Sequence, residues 1–297
     1  MRDRLRRRIL RAASTPRSLR QIATAELLRL DHAEVLVREL LAEGSLVERA
    51  DGFAAAQPGP TRPDRAALEE RARHVIGRRP APDPALDQVH LEAPSLVRRA
   101  EWLLHTEDAP ERDVLFLGDD DFTSLLVAGW GPGRVVVADI DRRVLDEVGA
   151  LAEELGVEVE RVQLDLREAR GGLPPEIARV MDLVVTDPPY TEAGALWFTA
   201  CASAALRPRL ESTLAIAVPW LVREHWSDEL LAAVQAWLLR RGFVLTDVLR
   251  SFGRYHSDDA IQSSLVVARQ AALDATSDPF EGLDPARLYT RAARGTP

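Results

Sequence analysis

Val114-Leu115-Phe116-Leu117-Gly118-Asp119-Asp120-Asp121 is the stretch that decides the fold. Four apolar residues in a row, then a glycine, then the start of a helix, describe a strand covered on both faces and its turn; a half-exposed strand would alternate instead. Working outward, the same unit recurs. Arg134 to Ala138 forms the next strand and ends in Asp139, followed by a helix from Arg142 to Leu155 that Gly156 closes. A third strand, Val159 to Leu164, ends in Asp165, and a fourth, Leu183 to Thr186, ends in Asp187. Further strands are expected at Leu214 to Val218, Phe243 to Leu249 and Ser264 to Ala268. Strands alternating with helices through short turns predict an α/β domain over 85–273 with a doubly wound, Rossmann-like sheet. Residues 274–297 are polar and broken by Pro and Gly, which predicts a C-terminal tail of loop character.

Upstream, residues 1–56 predict a separate small domain. Arg4 to Ala12 is a basic amphipathic helix, Ser18 to Ala23 begins a second, and Asp31 is the expected N-cap of a third. Val35, Leu36, Leu40 and Leu41 form the third helix's apolar stripe, and Gly44 stops it. Leu46 to Arg49, a turn at Ala50-Asp51-Gly52, and Phe53 to Ala56 then suggest a two-stranded wing. The pattern is that of a winged helix. A dimerisation or substrate-lid role ranks ahead of DNA binding, because Asp31, Glu34, Glu39 and Glu43 crowd the would-be recognition helix with acid. Residues 57–84 form a linker, rich in Pro at Gln57 to Pro63 and Pro80 to Pro84, with one helix from Arg65 to Ile76.

The whole chain has 297 residues, is 46% apolar and carries a net charge of −9. That charge is unevenly spread: residues 1–56 hold 11 Arg against 8 Asp and Glu, net +3, which leaves net −12 for the rest. An acidic domain repels a polyphosphate and attracts a cation, so stable nucleic-acid binding is not expected and a cationic small molecule is. No apolar run reaches membrane-spanning length, so no membrane partner is expected. The basic start, Met1 to Arg6, has no apolar stretch behind it, so no signal peptide is expected. With Cys201 as the single cysteine there is no disulfide framework and no cysteine metal site, and a cytoplasmic protein is the plain reading.

In open α/β sheets ligands sit beyond the carboxyl ends of the strands. Here those ends carry Asp119 to Asp121, Asp139, Asp165 and Asp187. Any one of them could be a solvated loop carboxylate; four successive strand ends are harder to dismiss. Asp139 lies about 20 residues past Gly118, where an acid bonds a ribose hydroxyl in nucleotide-binding sheets, with Asp141 as second candidate. Asp165 could accept from an adenine amino group. The first turn is no phosphate cradle, since three carboxylates beside it would repel a pyrophosphate. NAD and ATP are disfavoured, and an adenosyl ligand bearing a sulfonium cation fits. Magnesium at the three adjacent carboxylates is disfavoured, because adjacent residues rarely converge on one ion; no metal is expected. In Asp187-Pro188-Pro189-Tyr190 the prolines fix a turn straight after the strand. Asp187 there can accept hydrogen bonds from an amine, and Tyr190 can pack against a flat or cationic group.

Asp187 to Tyr190 resembles the signature of methyltransferases acting on the amino groups of adenine or cytosine. Together with Gly118 to Ser124 it is more similar to the branched-chain polyamine synthases, also called N4-bis(aminopropyl)spermidine synthases. The likeness is firmest over Leu86 to Thr191, including Leu86-Asp87-Gln88 and Asp139-Ile140-Asp141. Phe252-Gly253-Arg254-Tyr255-His256 looks like the family's late motif, with Gly253 where Asn is expected. The resemblance implies a class I methyltransferase-type sheet behind an N-terminal winged helix, and an aminopropyltransferase using decarboxylated S-adenosylmethionine. It implies Gln88, Gly118, Asp119, Asp139, Asp141 and Asp165 as donor contacts. Asp119, Asp120, Asp121 and Asp187 would be catalytic, with Asp187, Tyr190, Thr191, Tyr255 and His256 toward a polyamine such as spermidine. A homodimer is the expected assembly. The rival reading is an amino-methyltransferase using intact S-adenosylmethionine, and a winged-helix polyamine sensor ranks last.

His225 and Trp226 fit both a pocket-closing role and a helix start capped by Ser227. Trp102, Trp197, Trp237 and Cys201 are expected in the core.

Overall fold

The computed structural model describes residues 2–57, 62–107, 109–131, 133–221, 224–257, 261–272 and 278–290. The chain divides into two compact units, Met1–Arg62 and Pro63–Pro297.

The first unit runs α1 (Arg2–Ala12), α2 (Leu19–Ala25), α3 (Leu30–Ala42), β1 (Leu46–Arg49) and β2 (Gly52–Ala55). The two strands pair antiparallel, and Arg17 adds a bridge to Phe53. Ser18 caps α2 through a reciprocal bond with Gln21, satisfying two otherwise orphaned amides. Ile9, Ile22, Leu36, Val37, Leu40 and Leu46 make a small closed core. The expected cap on α3 is displaced: Arg29 holds the N-cap position without a side-chain bond, and Asp31 sits in the first turn paired to Arg29 at 2.8 Å. An acid in a first turn meets the helix's positive end, so Asp31 acts on the dipole instead of the cap.

The second unit begins with α4 (Arg65–Ile76) and α5 (Ala93–His105). The helix expected within a linker is therefore part of the larger body, burying Leu68, Ala72 and Val75; most of Gln57 to Pro63 lies outside the described residues. Then come β3 (Val114–Leu117), α6 (Thr123–Val127), β4 (Val135–Asp139), α7 (Arg142–Leu155), β5 (Glu160–Gln163) and β6 (Leu183–Thr186). The series closes with α8 (Glu192–Ala205), β7 (Thr213–Pro219), α9 (His225–Arg240), β8 (Phe243–Arg254) and β9 (Gln262–Gln270). The seven strands lie in the order β5-β4-β3-β6-β7-β9-β8. From β5 to β7 in that order the strands are parallel; β9 runs antiparallel to β7, and β8, antiparallel to β9, completes the edge. This is the class I methyltransferase-type sheet. β3, β4, β6 and β7 are buried along their whole length, which explains their unbroken apolar sequence.

The pleat divides the core in two. Val114, Phe116, Val137 and Val185 face the helices α4 to α7, whereas Leu115, Leu117, Val136 and Val184 face α8 and α9. Trp197, Trp237 and Cys201 are buried in the second layer, and Trp102 packs half-buried on the first beside Phe252.

Two boundaries differ from expectation. β8 continues through bulges to Arg254, so Phe252 to Arg254 are strand, and Tyr255 just beyond bridges Leu91. The tail also packs: Phe280 and Leu288 join the core, with the Phe280 ring 4.9 Å from that of Trp197. Two buried apolar side chains outweigh the polar composition around them, each contributing about 1.5–3 kcal/mol.

Candidate active site

β3 is the switch point of the sheet, since the chain leaves it toward β4 on one side and reaches β6 on the other. A cavity of about 810 Å³ opens there, at the carboxyl ends of β3, β4 and β6. Its wall includes Gly118, Asp120, Asp139, Asp187 and Tyr190, with Gln88, Tyr255 and Tyr289 completing the ring.

The turn after β3 separates its three acids. Gly118 adopts φ +73, a left-handed conformation that glycine enters without penalty, and its amide bonds the Ala138 carbonyl at 2.9 Å. Asp119 then points away from the cavity and accepts from the amides of Thr123 and Ser124 at 2.9 and 3.1 Å. Burial pushes its carboxyl up to about 7, against the pull of those hydrogen bonds. Asp121 also points away, accepting from the Leu91 amide at 2.6 Å and standing 3.4 Å from Arg99 Nη1. Asp120 alone of the three lines the cavity. Its Oδ2 is buried without a protein hydrogen-bond partner, and burial, with Asp121, Asp187, Asp139 and Asp119 around it, holds the carboxyl well above its usual range. Adjacent side chains diverge in a turn. Among the described residues no group of three or more His, Cys, Asp or Glu side chains is arranged to hold a metal ion.

At the end of β4, Asp139 lines the cavity and accepts from the amides of Asp119 and Asp141 at 3.1 and 2.8 Å. Asp141 is outside the wall: it caps α7, pairs with Arg143 at 2.7 Å and takes a bond from Gln88 Nε2 at 3.1 Å. Gln88 is in the wall, but its amide is committed at both ends, since Oε1 accepts from the Asp83 amide at 2.8 Å. Asp165, after β5, is clamped by Arg167 at 2.6 Å and caps a 3-10 turn, while its neighbours Leu164 and Leu166 line the cavity. That end of the wall is apolar, made also by Ile140, Phe198 and Tyr289.

After β6, Asp187, both prolines and Tyr190 all line the cavity. Asp187 Oδ2 accepts from Arg99 Nη2 at 2.8 Å and from the Tyr255 hydroxyl at 2.6 Å. The Tyr190 hydroxyl stands 3.2 Å from Asp187 Oδ1 and 2.9 Å from the Tyr255 oxygen, sharing one proton between them. Burial first, then the Asp187 charge, raises both phenols well above their usual value, so both stay neutral donors. Thr191 is not in the wall; it caps α8 and donates to the Leu288 carbonyl at 2.7 Å. His256 is exposed, in a surface recess with Glu92 and Ser257. His225 is exposed at the start of α9, whose N-cap is Glu224, whereas Trp226 does line the cavity and is 41% exposed.

Sequence reasoning overlooked Arg99, Arg79, Asp87, Tyr289 and Thr290. Arg79 donates to the carbonyls of Leu91 and Asp121 at 3.0 and 2.8 Å, tying the segment after α4 to the acidic turn. Asp87 accepts from the amide and hydroxyl of Thr290 at 2.6 and 2.9 Å, which fixes the C-terminal segment against the cavity.

A sheet of this order with a carboxylate-lined cavity at its switch point defines a class I methyltransferase-type protein. The model of the branched-chain polyamine synthase A C-terminal domain matches residues 67–290, and the chain belongs to that family. It is similar to the N(4)-bis(aminopropyl)spermidine synthase of Methanocaldococcus jannaschii, with 30% identity over 63% of this chain and 53% of that protein. The enzyme of the same name from Thermococcus kodakarensis is 31% identical over 63% of this chain and 52% of its own. The chain thus spans about half the length of the curated relatives it matches. Among solved structures, the branched-chain polyamine synthase from Thermus thermophilus in complex with N4-aminopropylspermidine and 5′-methylthioadenosine has the same fold. Its TM-score is 0.61 at 23% identity, covering 93% of this chain and 90% of that one.

Proposed function

We propose that this protein is an aminopropyltransferase that moves the aminopropyl group of decarboxylated S-adenosylmethionine to an amine of a polyamine such as spermidine, once or twice at the central nitrogen. The observation that carries the reading is Asp120: a cavity-lining carboxylate whose buried oxygen has no partner within the protein, in a chain of the branched-chain polyamine synthase family. A buried charge without a partner is costly, and a cationic ligand removes that cost. Loss of the carboxylate makes the donor a dication, which these acids attract; intact S-adenosylmethionine would bring its own carboxylate against them.

The apolar end of the cavity, at Ile140, Leu164, Leu166, Phe198 and Tyr289, suits the nucleoside, with Asp139 as acceptor for ribose hydroxyls. Asp187 accepts an N–H of the attacking amine and aims its lone pair. The nitrogen forms a bond to the carbon next to sulfur, that carbon–sulfur bond breaks, and its electron pair stays on sulfur as neutral 5′-methylthioadenosine. Asp120 takes the amine's proton, a role its raised affinity for protons favours. The name of the relatives and the ligands in the Thermus thermophilus structure agree with this scheme. In the first unit, three helices ahead of a hairpin support a winged-helix module.

The test is incubation with spermidine and either the decarboxylated or the intact donor, with products weighed by mass spectrometry. Aminopropyl addition only with the decarboxylated donor is expected. Methyl addition from the intact donor would replace this reading with the amino-methyltransferase one.

A further inference from the structure

Arg99 is a buried cation at the site to which the transfer scheme gives no task. It leaves the middle of α5 and ends between the turns after β3 and β6, 4% exposed. Nη2 bonds Asp187 Oδ2 at 2.8 Å, Nη1 stands 3.4 Å from Asp121 Oδ2, and Nε is buried without a partner. A leucine or methionine would fill that helix face at less cost, because a guanidinium inside a protein must recover its lost hydration through its partners. Burial alone would weaken its hold on its proton; Asp187, Tyr255 and Asp121 reverse that, so the cation is secure.

The geometry assigns different work to the two carboxylates of one cavity. Asp187 is held from three sides by Arg99, Tyr255 and Tyr190, and a carboxylate oxygen offers two acceptor positions. Oδ2 has both filled, and Oδ1 keeps at least one for a ligand. Asp120 has no such clamp. We propose that Arg99 is a positioning residue: by orientation and counter-charge it reserves Asp187 as the fixed acceptor for the attacking amine's N–H, leaving the amine's proton to Asp120. The division of labour rests on the aminopropyl-transfer reading, whereas the clamp itself is a property of the ligand-free protein.

The charged and titratable groups facing Arg99 and Asp187 come from every surrounding element. They are Asp120 and Asp121 after β3, Arg79 after α4, Asp139 on β4, Tyr190 after β6, and Tyr255 beyond β8. In Arg99→Gln only one cation, Arg79, remains against these acids, and a carboxylate that has lost its counter-ion takes up a proton more readily.

The experiment compares wild type, Arg99→Gln and Arg99→Lys by two readouts. Infrared spectra of the ligand-free proteins across pH count protonated carboxyls, and Arg99→Gln is expected to add one near neutral pH that a further Asp187→Asn removes. The acid limb of the pH profile of kcat/KM for the amine is expected to move up by about one unit in Arg99→Gln. In Arg99→Lys, which keeps the charge but loses the fork, the limb stays in place while kcat falls about tenfold. An unchanged infrared count and acid limb in Arg99→Gln would overturn the proposal, as would wild-type kcat in Arg99→Lys. If Arg99→Gln is too unstable to purify, Arg99→Gln with Asp121→Asn removes cation and companion acid together and gives the same readouts. Because the infrared measurement needs no substrate, failure of the clamp is distinguishable from failure of the transfer reading.

Discussion

Gly253 and Ser263 face each other across β8 and β9 so closely that a β-carbon on residue 253 would stand 2.5 Å from the Ser263 hydroxyl oxygen. The same carbon would be 3.2 Å from the Tyr255 hydroxyl, which donates to Asp187 and bonds Ser263 at 2.8 Å. The departure from the expected Asn in this late motif thus has a local reason: the space a side chain would take is filled by the group that supports Asp187. Gly253→Ala should push Ser263 and Tyr255 off their partners, with about 1–3 kcal/mol of destabilisation from overpacking and a lower kcat. Ser263→Ala in the same chain frees the space and should recover part of the melting temperature; a double variant no better than the single one would contradict the packing account.

Removing Asp187 has a structural cost that its place in a cavity wall would not suggest. Asp187→Asn leaves Arg99 with only the longer contact to Asp121, and stripping one partner from a buried ion pair costs about 3–5 kcal/mol. For a body of this size that is roughly a 6–20 °C fall in melting temperature, together with loss of turnover. A calorimetric melt within about 2 °C of wild type would show that Arg99 is satisfied some other way.

Asp120 should behave in the opposite sense. Its carboxylate has no partner to lose, so Asp120→Asn is expected to abolish turnover by at least about a hundredfold while the protein melts no lower than wild type. The pH dependence follows from the direction of its shift. Because the folded-state value is raised, the native protein binds this proton more tightly than the unfolded chain. Stability is therefore present at low pH and is lost as pH climbs from the ordinary carboxylate value, about 4, through the raised one. Urea unfolding at several pH values should show the variant's advantage growing with pH, and an advantage that shrinks would invert the assignment.

Asp165 is expected to matter little to the donor. Its carboxylate is held by Arg167 and by a 3-10 cap, and it is absent from the cavity wall. Asp165→Asn keeps a competent cap and loses only the ion pair with the half-exposed Arg167, so it should cost less than about 1 kcal/mol and leave the donor KM within about twofold. A tenfold rise would restore the role in base recognition that its place at a strand end suggests.

How far the site could be read in advance depended on whether its signals were local. Strand ends are local, and Asp139 and Asp187 stand in the cavity wall because unbroken apolar runs mark where buried strands stop. The choice among Asp119, Asp120 and Asp121 is made by one turn dihedral at Gly118 and by distant partners such as the Leu91 amide, neither of which composition reveals. Arg99 did leave a trace: it falls on the stripe of Leu96, Ala100 and Leu103, where a charge has no business unless paired. Tyr289 and Thr290 left none, since their polar, Pro-punctuated segment is placed by Phe280 and Leu288 docking on residues nearly a hundred positions away in sequence. The long β8 was cut short because its bulges break the alternation a strand is known by.

The chain has three tyrosines, and all of them, Tyr190, Tyr255 and Tyr289, stand in the cavity wall. Ring-labelled tyrosine would therefore give nuclear magnetic resonance spectra in which every signal is a report from the cavity: two from the clamp around Asp187 and one from the apolar end proposed for the nucleoside. Titrating donor and acceptor separately would show which end each occupies, in unmodified protein and without a single substitution.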